Sequence, residues 1–359
     1  MIVLKIVILI FSVIGALDWL FGSKFGVGKE FERAFSLFAP MSLSMLGMIV
    51  IAPAIGVLLT PLFDGFYNAF GIDPSIIPAS LLANDMGGMT IAQSICKSET
   101  IGNYCAFVVS SMMGCLISFT LPFSLGLVNK DRHNELFYGI LCGIATIPVG
   151  SFIGGLFCGV SALDLLLTLL PLILLSIIIG LALVFCRRTC IKAFSAFGSF
   201  MRFLSLLGLV LAIFSFLTEI QISEHLDTFL NAAAVCANAC VTLSGALPFM
   251  FIATKLLNKP MSRLGAHLGI NGTSALALLG SLVTNASSFG VAEKMDKKGL
   301  VLNSAFAVSA SFVFGSHLAY TMAQNADYVF PMMIGKIISG IFAVLLALLI
   351  YKEKETKSA

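Results

Sequence analysis

Nine stretches of mostly apolar residues run along this chain, near 1–21, 37–59, 103–128, 134–159, 163–186, 197–218, 228–256, 299–324 and 328–351. Each is long enough to cross a lipid bilayer as a helix. Two further segments, about 74–97 and about 271–293, have the right length but are polar in the middle. The first carries Asn84, Asp85, Gly87 and Gly88 at its centre, and the second carries Thr284, Asn285, Ser287, Ser288 and Gly290. Neither centre can continue as a lipid-facing helix. Non-helical backbone at membrane depth is tolerated only where it is buried in protein or lines a wet cavity. The pattern therefore predicts an all-α integral membrane protein with about nine full spans and two broken, re-entrant hairpins.

The two broken segments repeat each other. Thr60-Pro61-Leu62 precedes the first and Lys259-Pro260-Met261 the second, while Gly71-Ile72-Asp73 matches Gly269-Ile270-Asn271. After the breaks come Ala106-Phe107-Val108-Val109-Ser110 and Ala305-Phe306-Ala307-Val308-Ser309, in the same order and at nearly the same offset. This predicts a first transmembrane repeat over 1–160 and a second over 197–351. Residues 161–196 then form a connecting span and cytoplasmic loop, and 352–359 a charged cytoplasmic tail.

Charge orients these elements. Lys and Arg cluster at Lys24/Lys29/Arg33, Lys130/Arg132, Arg187/Arg188/Lys192, Lys255/Lys259/Arg263, Lys294/Lys297/Lys298 and Lys352/Lys354/Lys357. The loops near 60–73, 160–163, 219–228 and 325–328 hold no Lys or Arg, and all but the uncharged 160–163 carry acids. By the positive-inside rule the clusters are cytoplasmic. All of them fall on one side only if each broken segment returns to its own face, the first dipping from outside and the second from inside. The halves are then inverted copies, an architecture shared by many secondary transporters. Lys5 pulls toward the opposite orientation for the amino terminus.

Composition agrees with the membrane reading. Of 359 residues, 58% are hydrophobic and 11% charged, against roughly 45–50% and 25% in soluble domains. The net charge of +3 comes from the loop clusters, so no basic surface points to nucleic acid. Cys186/Cys190 and Cys236/Cys240 share helical faces, yet small packing residues explain them better than metal ligands. Gly139, Gly143, Gly150, Gly154, Gly155 and Gly159 give the 134–159 span a small-residue surface suited to close helix packing. P-loop, H-E-x-x-H and G-x-S-x-G motifs are absent from the sequence, which argues against an ATP-driven pump or a familiar hydrolase.

Asp85 is the most informative residue. An acid at membrane depth costs about 2.5–3.5 kcal/mol on insertion scales, so it is a functional candidate by default. It can hold a small ammonium or a coupling ion, or it can cap the returning half-helix. Asn84, Gly87 and Gly88 shape the tip around it. Asn285, Ser287 and Ser288 occupy the opposite tip, where they can bind a hydroxyl or satisfy broken backbone. Ser110 and Ser309 sit at matching repeat positions and are candidate cavity residues. His317 can relay protons or be structural. Lys336 either snorkels to the interface or pairs with a carboxylate such as Asp85, and Asp18 reads as interfacial.

The segments LLANDMGGMTIA (81–92), SSMMG (110–114), IPVGSFIGGL (147–156), MDKKG (295–299), NSAFAVSASFVFGSHL (303–318) and FPMMIGKIISG (330–340) give the chain a resemblance to the ethanolamine utilisation transporter family, EutH. The likeness runs over nearly the whole length. It implies a multi-pass permease of the bacterial cytoplasmic membrane that imports ethanolamine for catabolism, with Asp85, Gly87, Gly88, His317, Gly335 and Lys336 on family motif positions. The chain departs from that pattern at Ser316, where relatives tend to carry Asp. The implied substrate is a hydroxylated ammonium, the implied surroundings are lipid, and no cofactor is needed. A coupling proton or Na+, self-association into a homo-oligomer, another small amine as substrate, and an intramembrane enzyme using Asp85 and His317 all stay open at this point.

Overall fold

The computed structural model describes residues 2–351, so the tail at 352–359 lies outside the described residues. All regular elements among them are helical. Eight helical segments are long and apolar enough to cross a membrane: Ile2–Leu20, Val27–Phe70, Glu99–Leu127, Lys130–Phe157, Ala162–Phe185, Arg187–Thr218, Phe229–Leu268 and Ala326–Ile350. Their outward faces carry exposed aliphatic and aromatic residues, among them Leu166, Leu170, Ile177, Phe203 and Leu345. In water such a surface would drive aggregation; in lipid it is solvated.

The ninth expected span differs. Residues 299–324 were predicted as one helix, but the structure has Lys297–Ala310 and Ser316–Gln324 with an unwound stretch between them. Phe312 there has φ 65°, a conformation that side chains other than glycine rarely adopt. The freed backbone is satisfied by the second broken segment: Phe312 N–H donates to the Ser281 carbonyl at 3.2 Å and Phe314 N–H to Leu282 at 2.8 Å. This break was invisible to hydropathy because its residues, Ser-Phe-Val-Phe-Gly, are mostly apolar.

Both broken segments fold back on themselves. In the first, Ile76–Leu81 leads to a 3-10 turn at Asn84–Met86, and Gly88–Ile95 returns. The ends are clasped by one carboxylate. Asp73 accepts from the Ser75 N–H at 3.0 Å and from the N–H groups of Lys97 and Ser98 at 2.9 Å each. Beside this base, Lys97 Nζ pairs with Asp64 at 2.5 Å, and the hydrogen bond to that carboxylate raises the lysine above its ordinary pKa. In the second segment, Gly272–Ser281 leads to the short Asn285–Phe289 helix. Asp296 clasps that base by accepting from the Asn271 N–H at 3.0 Å and the Ser274 hydroxyl at 2.7 Å, and Asn271 Nδ2 donates to the Lys294 carbonyl at 2.9 Å. The two ends of each segment therefore meet at one hydrogen-bonded clasp.

Each tip is held by the chain that follows it. The first leans on Cys105–Gly114 and Leu116–Thr120, two π-helical stretches within the Glu99–Leu127 span. The Ala83 N–H donates to Ser118 Oγ at 3.1 Å, and Gly88 sits so close to the preceding strand of backbone that a Cβ there would lie 2.8 Å from the Ala83 carbonyl. π-helical turns carry wider, weaker hydrogen bonding and recur at functional sites. The wall behind both tips is a slab of three helices, His133–Phe157, Lys297–Ala310 and Val329–Ile350, which meet at glycines. A Cβ on Gly143 would fall 2.5 Å from Val308 Cβ, and one on Gly335 would fall 2.8 Å from the Gly150 carbonyl.

Asp18 closes the turn after the first helix. It is 7% exposed, and its carboxylate accepts from the Phe25 N–H at 3.0 Å and the Gly28 N–H at 2.8 Å. The interfacial position expected for it is therefore a buried backbone staple.

Candidate functional site

A cavity of about 380 Å³ opens between the first hairpin tip, the π-helical stretch and the unwound segment. Its wall includes Asp85, Cys115, Phe119, Phe312, Ser316 and His317, with Arg202 on the Arg187–Thr218 helix. These residues come from segments far apart in the chain, brought together because each tip packs against a break in helical geometry.

Asp85 points at this space. Among the described residues the ion pairs are Arg33–Glu30, Lys97–Asp64 and His225–Glu224, so Asp85 has no cation within 4.0 Å. The side chains that act on its carboxylate are Ser316 and, at longer range, Lys336. The capping alternative is not what the structure contains: the returning helix starts at Gly88, and its N-cap is Gly87, with φ 90° and no side-chain cap. Glycine is needed at that left-handed corner.

Asn84 does not reach the cavity. It is fully buried, its Nδ2 donating to Thr321 Oγ1 at 3.4 Å and its Oδ1 accepting from the Asp85 N–H at 3.0 Å. Asn285 at the other tip has a matching arrangement, donating to Thr120 Oγ1 at 2.8 Å and accepting from the Ser311 hydroxyl. Each tip asparagine thus grips a threonine in the opposite half of the chain. Ser288 is buried against Asn303 Oδ1 at 3.2 Å, and Ser287 is exposed; neither lines this cavity. Ser110 bonds back to the Ala106 carbonyl, and Ser309 accepts from the Ser339 hydroxyl at 2.7 Å. Both are fully buried, so the cavity positions expected for them are packing positions instead.

Lys336 neither snorkels nor pairs with Asp85. It is 1% exposed. Its Nζ donates to the Ser111 carbonyl in the π-helical stretch and sits 3.1 Å from His317 Nδ1. His317, also 1% exposed, stands between this ammonium and the cavity, with its ring 5.1 Å from that of Phe312. A lysine N–H donating to Nδ1 fixes the neutral imidazole with its proton on Nε2.

Among the wall residues that the sequence did not single out are Cys115, Phe119, Phe312 and Arg202. Arg202 carried a usable signal, since it is a charge inside the 197–218 span and falls under the same rule that marks Asp85.

No solved structure matches the chain. The protein named "Probable ethanolamine permease EutH" from Listeria monocytogenes is 37% identical over 335 residues, covering 93% of this chain and 90% of its own length. The protein of that name from Escherichia coli is 31% identical, covering 92% and 87%. "Uncharacterized protein YxeR" of Bacillus subtilis is 32% identical, covering 92% and 89%. The family described as ethanolamine utilisation protein, EutH, matches residues 1–350. With the family model matched over residues 1–350 and relatives of that name at 31–37% identity across most of their length, the chain belongs to the EutH family.

Proposed function

We propose that this chain is a multi-pass cell-membrane permease that takes up ethanolamine as its ammonium form, a transporter and not an enzyme. The observation that carries the reading is Asp85: an acid without an ion-pair partner, on a hairpin tip, in a cavity whose wall is otherwise largely apolar. A small cation with one hydroxyl fits such a site. Its ammonium pairs with Asp85, the hydroxyl of Ser316 and the ring of His317 supply polar contacts, and the methylene groups lie against Phe119 and Phe312.

In this reading the hairpins are re-entrant and belong to two inverted repeats over 1–160 and 197–351, with 161–196 as connector. The reciprocal grips of Asn84 on Thr321 and Asn285 on Thr120 support that symmetry. Access alternates as one tip and then the other uncovers the site. The present cavity extends toward Leu37, Phe123 and Arg202, on the side of the basic loops, which is the cytoplasmic side under the positive-inside rule.

The test is purified protein in liposomes supplied with labelled ethanolamine. Accumulation of unchanged label inside supports the permease; conversion to a product supports the intramembrane enzyme and overturns this reading.

A further inference from the structure

We infer that Lys336 is a resident cation that gives up its proton when substrate arrives, so that the protein exchanges one ammonium substrate for one proton and needs no sodium. This rests on the permease reading above and adds its ion coupling.

The argument starts from what surrounds the Lys336 ammonium. It is sealed from solvent, and its near partners are a backbone carbonyl and an imidazole nitrogen, with no carboxylate within 4.0 Å. A backbone carbonyl exposed beside a π-helical stretch is the kind of ligand a bare sodium ion takes in transporters built from broken helices. Here the ammonium already fills that place. The titratable groups that act on it are the Asp85 carboxylate from the first hairpin tip and the Cys115 thiol between the π-helical stretches, together with His317 from the Ser316–Gln324 helix. The other two slab helices meet its neighbourhood through Gly150, Gly154, Ser309 and Ala310, none of which titrates.

Asp85 is the one carboxylate among these groups, and it also lines the cavity, so Lys336 and an incoming cation share that acid. A substrate ammonium seated on Asp85 takes that acid for itself and adds a like charge nearby. The proton has a built exit. Lys336 Nζ passes it to His317 Nδ1 while the proton on Nε2 leaves to water in the cavity that His317 lines. Lysine ends neutral and the imidazole ends neutral in its other tautomer, Nδ1–H now donating to the Nζ lone pair. One bond to hydrogen forms and one breaks at the ring, and a single proton leaves. The 3.1 Å contact is a hydrogen bond in both states, so nothing in the site must rearrange to release or regain the proton. Return of the empty site to the other face requires Lys336 to be charged again, which makes the exchange one for one. The net transfer equals passage of neutral amine, so the steady-state gradient follows the pH difference across the membrane.

The experiment is isothermal titration of ethanolammonium chloride into purified wild-type protein in two buffers of different ionisation enthalpy, in sodium salts and in potassium salts. The expected result is release of about one proton per substrate bound, equal in both salts, and release lost in Lys336→Met. A normal isotherm with no buffer dependence overturns the exchange, as does an affinity that requires sodium. Because the wild-type protein alone gives the proton count, the inference stands or falls even if Lys336→Met does not fold. A missing isotherm in every buffer removes the permease reading and this inference with it, and is distinct from an isotherm without proton release.

Discussion

Replacing Asp85 by Asn keeps the size and hydrogen-bonding capacity of the side chain and removes its charge. An ammonium about 4 Å from a carboxylate gains roughly 4 kcal/mol at an effective dielectric near 20, and a like charge at about twice that separation returns roughly 2 kcal/mol of repulsion. Lys336 lies beyond 4.0 Å from Asp85 and acts on it at longer range, so it supplies that opposing contribution until its proton leaves. That repulsion is felt with or without the Asp85 charge, so what Asp85→Asn removes is the ion pair itself, about 4 kcal/mol, a weakening of about a thousandfold. Initial rates of labelled ethanolamine uptake into proteoliposomes, at matched amounts of protein, read this as a rise in KM. Asp85→Glu keeps the charge on a longer stem and is expected to fall between wild type and Asn. Wild-type KM in Asp85→Asn would refute the ion-pair argument, since no other acid lines that cavity.

Two further outcomes follow from other parts of the molecule. Asn285→Ala removes two buried hydrogen bonds, to Thr120 and Ser311, which keep the Cys115 and Ala307 contacts, a loss of about 0.5–1.5 kcal/mol for each bond; thermal unfolding in detergent should shift down by a few degrees, and an unchanged midpoint would show that the tip is not held there. Neutral ethanolamine leaks through lipid whereas its charged form does not, so the uptake rate lost on deleting the gene should widen as external pH falls, measured with labelled substrate in cells; a flat dependence would count against recognition of the ammonium.

How much of this was visible in the chain depended on whether a feature leaves a mark in composition. The eight spanning segments did, because twenty apolar residues in a row have no other home. So did the two hairpins, where Asn84, Asp85 and paired glycines or Asn285, Ser287 and Ser288 interrupt the apolar run. The break after Ala310 did not, since Phe312, Val313 and Phe314 are as apolar as the helix they interrupt. The π-helical turns at 105–120 differ from α-helix only in hydrogen-bond register, which no composition records. Asp85 was readable as a site residue because burial makes a charge conspicuous. Asn84 and Asn285 stood out at the same tips as substrate-binding candidates, yet amide side chains can find partners inside the protein, and here they do. The wall contributed by Phe119 and Phe312 is a product of tertiary assembly among many phenylalanines, with nothing local to distinguish those two.

The glycine contacts of the three-helix slab also constrain how the protein can change shape. Where Gly335 touches the Gly150 carbonyl and Gly143 receives Val308, main chain meets its neighbour without side chains to act as bearings, and sliding one helix past another would drive atoms into each other. Lys336 follows Gly335 directly and is moored to that immobile part. Asp85 rides on a hairpin clasped at its root by Asp73 and joined at its tip through single hydrogen bonds to Ser118 and Thr321. The spacing between the two charges is therefore the coordinate that a conformational cycle can vary, and a crosslink fixing the hairpin to the slab would freeze the machine without touching either charge.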